Sequence, residues 1–240
     1  MFLVFITISL IVIGLIPSLA WLLFYLHEDY KHPEPKGMIL YTFLLGCLIT
    51  FALLPIQVFI SNTLLANGFQ QYGFNSFLAL AFTEELVKFI VVYVFIHRRR
   101  VFQEPVDAML YMIFAALGFA AVENIASLFK VSDGSIFNIE ILESLSLRFI
   151  GATLLHTLAS GIVGYFWGLA FLKSGKTFFL QHGKELPLIA TGLIVATVLH
   201  AIFNKLIIAT GPASLAILFV VLVSFFVLSD FEKFKRLEAV

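Results

Sequence analysis

Glu84, Glu85 and Lys88 interrupt a run from Phe77 to Ile96 that is otherwise apolar apart from Thr83. Charges in the middle of a membrane segment cost about 3 kcal/mol each on insertion scales. They persist where ion passage, proton transfer or catalysis needs them. Glu84 and Lys88 stand i,i+4 and Glu85 and Lys88 i,i+3, so one helical face carries the set. An ammonium at this spacing lets a carboxylate keep its charge in apolar surroundings, and two adjacent carboxylates do not titrate alike. Three later apolar segments each hold a matching group. Phe119 and Glu123 are i,i+4, with Asn124 beside the glutamate. His156 stands among the small residues Gly151, Ser160, Gly161 and Gly164, and His200 and Asn204 are again i,i+4. Peptide hydrolysis needs an activated water, a stabilised oxyanion and a protonated leaving amine. Carboxylates with imidazoles and an amide can supply all three.

The elements that must position these groups are membrane helices. The 240 residues are 61% hydrophobic and 12% charged, with a mean hydropathy of +1.03. Soluble domains are about 45–50% apolar and about 25% charged. A formal net charge of +0 argues against nucleic acid as a partner. The one cysteine, Cys47, excludes an internal disulfide and any cysteine-based metal site, and reads as a small apolar filler.

Stretches of about 20 apolar residues can span a bilayer. Seven qualify, at roughly 2–26, 38–60, 76–97, 107–129, 146–172, 187–208 and 213–231. The expected fold is an all-α polytopic bundle, a single integral-membrane domain over 1–240, with its candidate catalytic helices at about 76–208. The first stretch lacks the positive start of a signal peptide and reads as a retained helix. Basic residues set orientation. Lys31, Lys36, Arg98, Arg99, Arg100, Lys173, Lys176, Lys184, Lys233, Lys235 and Arg236 fall on one side, against Lys130, Lys205 and Arg148 on the other. This places the C-terminus in the cytoplasm and the N-terminus outside. At 1.5 Å per residue, Glu84 and His200 then lie roughly 12 Å below the outer surface, Glu123 roughly 9 Å and His156 roughly 15 Å. Four ionisable groups on four helices share one layer.

Glu84-Glu85-x-x-Lys88, Phe119-x-x-x-Glu123-Asn124, His156 and His200-x-x-x-Asn204, in that order on successive helices, resemble the PrsW family of intramembrane proteases. That family looks related to the CAAX-prenyl protease and bacteriocin-processing superfamily. There the double glutamate is usually followed by an arginine one position later, and the phenylalanine motif ends in histidine. Lys88 and Glu123 stand here instead, which speaks against prenyl-protein processing. The resemblance implies cleavage of a membrane-anchored substrate near the outer face of the cytoplasmic membrane, with an anti-sigma factor as the example.

On the residues themselves, a glutamic-type protease takes Glu84, or its neighbour Glu85, as general base. His200 with Asn204, or His156, serves the oxyanion. Glu123 holds a histidine or places water, and Lys88 keeps the pair ionised. Phe119 and Asn124 are supporting. No cofactor is required by this scheme. A zinc-dependent alternative uses His156, His200 and Glu123 as ligands and a Glu84/Glu85 base. A small proton-coupled transporter also places carboxylates and histidines in the membrane, but no inverted repeat is visible. A non-catalytic scaffold needs fewer ionisable groups than five. The implied partners are a single-pass membrane protein substrate and membrane lipid. Elsewhere, Arg148 reads as an interface anchor or as a guide for substrate near the outer surface, Gln57 as interhelical glue in preference to a catalytic group, His97 as solvated at a span end, and Glu104 and Asp107 as solvated.

Overall fold

Small side chains decide which helix sits in the middle. The computed structural model describes residues 1–28, 33–132, 139–174, 186–209 and 214–238. Among these, α1 (Phe2–Glu28), α2 (Lys36–Ala66), α3 (Phe74–Phe95), α4 (Pro105–Val131), α5 (Ile139–Leu147), α6 (Thr153–Ser174), α7 (Leu186–Ala209) and α8 (Ser214–Glu238) are helical. A π-helical turn, Arg148–Ala152, joins α5 to α6 in one rod. Six rods are long and apolar enough to cross a membrane. α3 is the seventh long helix; its three charges set it apart from those six.

α4 is 89% buried over its most apolar window, whereas that of α8 is 22% buried. α4 carries Ala108, Ala115, Ala116, Gly118, Ala120 and Ala121. Such residues let backbones approach closely in a bilayer, where water does not drive helices together. The approach is tightest against α2. A Cβ on Gly46 would collide with the Ala115 carbonyl, and one on Gly118 with the Phe43 carbonyl. The Cys47 thiol donates to the Gly118 carbonyl at 3.2 Å across the same contact. α6 repeats the device, with Gly164 against Ala108 and Met109. α1 and α8 turn apolar side chains such as Leu3, Phe5, Phe225 and Phe226 outward, as lipid-facing surfaces require.

Three features depart from the sequence expectation. α2 continues to Ala66, so Asn62 is helical rather than in a loop. The fifth rod begins at Ile139, because Glu140 and Glu143 hide its first two turns from a hydropathy reading. Asp107 is buried rather than solvated: its carboxylate accepts from the Gln103 and Glu104 amides at 2.6 and 2.8 Å, capping α4 behind Pro105. Of the basic residues used for orientation, Lys31, Lys176 and Lys184 lie outside the described residues.

The α2–α4 contact makes a direct prediction. Gly46→Leu should lower stability by about 1–3 kcal/mol or prevent accumulation, since the clash is with backbone. Gly37→Ala, with nothing within 4 Å of the added carbon, should leave the melting temperature unchanged or slightly raised. Equal thermal unfolding of the two purified variants would contradict the packing.

Candidate active site

The helical spacing of Glu84, Glu85 and Lys88 turns all three into the bundle, where each is buried. Lys88 lies deepest. Its Nζ donates to Glu85 Oε1 at 2.8 Å and to His156 Nδ1 at 3.0 Å, and sits 4.4 Å from the centre of the Phe119 ring. Lysine has only donors, so His156 Nδ1 must accept. The His156 proton is therefore on Nε2, which donates to Glu123 Oε2 at 2.9 Å. An ammonium, an imidazole and a carboxylate thus form a chain across α3, α6 and α4.

Glu85 is surrounded. Besides Lys88, Oε1 faces His200 Nδ1 at 3.1 Å, and Oε2 accepts from Ser160 at 2.8 Å. Glu84 differs. Its Oε1 accepts from Gln57 Nε2 at 2.8 Å, while its buried Oε2 has no hydrogen-bond partner among the described residues. The nearest basic atom to that oxygen is His200 Nε2, at 3.7 Å. The His156 and His200 rings stand edge to face, with centroids 5.0 Å apart.

The structure brings together Glu84, Glu85, Lys88, Phe119, Glu123, His156 and His200. Asn124 is one step removed, bonded to Thr153 Oγ1 at 3.0 Å and to Arg148. Asn204 makes no hydrogen bond to His200 among the described residues; it lines a cavity of about 550 Å³. This cavity also touches Phe77, Ser127, Arg148 and Phe203, and Glu140 and Glu143 are exposed at its edge. Along each helix these residues lie one to four turns from the cluster, all toward the same end of the bundle.

Gln57, Ser160 and Arg148 were not read from the sequence as site residues, yet each bonds a site carboxylate. Ser160 carried a signal, standing i,i+4 from His156. Gln57 and Arg148 had none beyond being polar in apolar stretches. His97, expected in solvent, instead packs among Tyr93, Phe102 and Trp167.

One ligand atom from each of Glu84, Glu85, His156 and His200 can be chosen so that all four lie within 4.8 Å of one another. Two carboxylates and two imidazoles suit a divalent ion such as zinc, and the unpaired Glu84 Oε2 suits a ligand position. This set could hold a metal. Glu123, one of three ligands in the zinc alternative, is outside it and holds His156 instead.

Fold and site define a multi-pass helical membrane protein with an acid–imidazole–ammonium cluster inside its bundle, buried except at Glu123. Comparison with known proteins makes this specific. The family model described as PrsW family intramembrane metalloprotease matches residues 34–229. The chain is 33% identical over 204 residues to protease PrsW of Geobacillus kaustophilus, covering 84% of this chain and 80% of that protein. It is 26% identical to protease PrsW of Bacillus subtilis, covering 84% of each chain. It is 21% identical to protease PrsW of Clostridioides difficile, covering 82% of this chain and 78% of that one. No solved structure matches. The chain belongs to the PrsW family of intramembrane proteases and is a multi-pass protein of the cell membrane.

The buried ion pair predicts a stability pattern. Lys88→Met should cost about 3–5 kcal/mol, because Glu85 is left charged with its main partner gone. Adding Glu85→Gln to Lys88→Met should recover part of that loss. Additive losses in denaturant unfolding of the detergent-solubilised protein would show that the two do not act as a pair.

Proposed function

We propose that this chain hydrolyses a peptide bond of a membrane-anchored protein near the outer face of the membrane, with Glu84 as the general base. The observation that carries this reading is the buried Glu84 Oε2, which has no hydrogen-bond partner among the described residues and lies beside His200 Nε2. Both Glu85 oxygens are already engaged, Oε1 by Lys88 and His200 and Oε2 by Ser160. Gln57 fixes the other Glu84 oxygen and so aims the free one.

Water held at Glu84 Oε2 gives it a proton as its oxygen attacks the scissile carbonyl carbon. The C–N bond then breaks, and the same carboxyl returns the proton to the leaving amine. The developing oxyanion needs donors. His156 is committed at both ring nitrogens, to Lys88 and Glu123. His200 gives its Nδ1–H to the Glu85 anion, so Nε2 donates only when the ring is an imidazolium; in that form His200 Nε2, with the Asn204 amide, serves the oxyanion. Lys88 holds Glu85 as an anion, and that anion holds His200 at Nδ1.

The cavity beside Arg148 and Asn204 offers an extended chain a way in from the outer side. With the N-terminus outside and the C-terminus cytoplasmic, the cut would fall on the extracytoplasmic side. A single-pass substrate of the anti-sigma-factor kind fits that placement. Glu84→Gln should lower cleavage of such a reporter by roughly a thousandfold or more while the protein accumulates normally. Wild-type cleavage should release the outer fragment. Retained cleavage by Glu84→Gln would remove Glu84 as base.

Glu84, Glu85, His156 and His200 are the residues that would hold a divalent metal, which when bound supplies Lewis-acid activation of water and carbonyl. The metal-free reading is favoured by Lys88, whose ammonium already brings positive charge to two of those four groups. Purified protein should therefore carry well under one equivalent of zinc, and chelation should leave cleavage intact. Stoichiometric zinc, with activity lost to a chelator and restored by the ion, would favour the family description as a metalloprotease.

A further inference from the structure

Arg148 opens the π-helical turn and stands between the cavity and the cluster. Its Nη2 donates to Glu123 Oε2 at 3.1 Å and its Nε to Asn124 Oδ1 at 2.5 Å. The two acceptors are consecutive on α4, and a rigid guanidinium fork can meet both where a lysine cannot. Asn124 is itself tied to Thr153 Oγ1, on the same rod as Arg148. The π-turn that presents Arg148 is braced from outside. Trp21 on α1 donates to the Phe149 carbonyl at 2.8 Å, and Gly151 lets Phe203 of α7 come close. Such turns recur at functional sites.

The oxygen Arg148 grips is the one that accepts the His156 Nε2 proton. The Glu123 side chain is 32% exposed, far more than His156 at 4%. Without the guanidinium, one imidazole bond would hold this partly exposed carboxylate. An interface anchor would send its charge out to the headgroups; this one is turned inward, and its side chain is 20% exposed.

Resting on the proteolytic reading above, we propose that Arg148 is a positioning residue: it clamps Glu123, and through it His156 and Lys88, in register with Glu85, and it is reached from the cavity. The clamp uses two of the five guanidinium N–H donors.

The test compares Arg148→Ala, Arg148→Lys, Glu123→Gln and the Arg148→Ala/Glu123→Gln pair in proteoliposomes, with a tagged single-pass membrane reporter that the wild-type protein cleaves. Arg148→Ala should lower kcat roughly 10- to 100-fold with little change in KM, and Arg148→Lys should restore little of it. The double variant should be no slower than Glu123→Gln alone. Ethylguanidinium should restore part of the Arg148→Ala rate and none of the Glu123→Gln rate. Wild-type activity in Arg148→Lys, or additive losses in the double variant, would overturn the clamp. A second readout is independent of cleavage. In protein labelled with ¹⁵N-histidine, the His156 ring-nitrogen signals should move in Arg148→Ala and in Arg148→Lys, while those of His200 hold. Ethylguanidinium should return them toward wild type in Arg148→Ala. Unmoved His156 signals in a folded variant would overturn the proposal. A wild-type protein that cuts no reporter but shows these shifts would instead retire the proteolytic reading and leave the clamp standing.

Discussion

A fully buried ammonium organises this molecule. Lys88 is 0% exposed, and taking such a charge out of water costs several kcal/mol unless partners replace the lost hydration. Glu85, His156 and the face of Phe119 are those partners, and they come from α3, α6 and α4. Three helices are thereby held in one rotational setting. Each partner is then obliged in turn: His156 must accept at Nδ1, so it donates at Nε2, so Glu123 must face it. Glu85, held by Lys88 and Ser160, faces His200 on α7. Polar groups in an apolar interior form complete networks because the alternative is an unpaired charge.

Close packing makes that network possible. The glycine and alanine contacts among α2, α4 and α6 draw backbones together until side chains from three or four helices can share hydrogen bonds. α4 sits at the centre because it has the small residues, and Phe119, Glu123 and Asn124 are near the centre because they ride on α4. Glu85, Lys88, His156 and Glu123 are all paired, and against them Glu84 Oε2, without a hydrogen-bond partner among the described residues, stands out. An available carboxylate oxygen beside such a network is the feature with chemical meaning.

Much of this was legible from residue types. The helical class, the approximate spans and the shared depth of Glu84, Glu123, His156 and His200 follow from apolar run length and helical rise. Polar residues in such runs are few, so each stands out. The less visible parts were those whose local signal is ordinary. Arg148 near a helix end looks like any interface anchor, and Gln57 like any interhelical amide. The first turns of the fifth rod were hidden by Glu140 and Glu143, which water at the membrane edge can solvate.

By itself, the sequence determined that this is a membrane bundle, that acids and imidazoles lie at one level in it, and which family their order resembles. Those properties depend on neighbours a few residues away along one helix. Tertiary structure alone decided which atom meets which: that Lys88 bonds His156, 68 positions on, that His200 reaches back 115 positions to Glu85, and that Arg148 turns inward on Glu123. Those pairings depend on how each helix is rotated about its axis and how near its neighbours come. Backbone contacts between glycines and carbonyls set both, and no single helix carries that information.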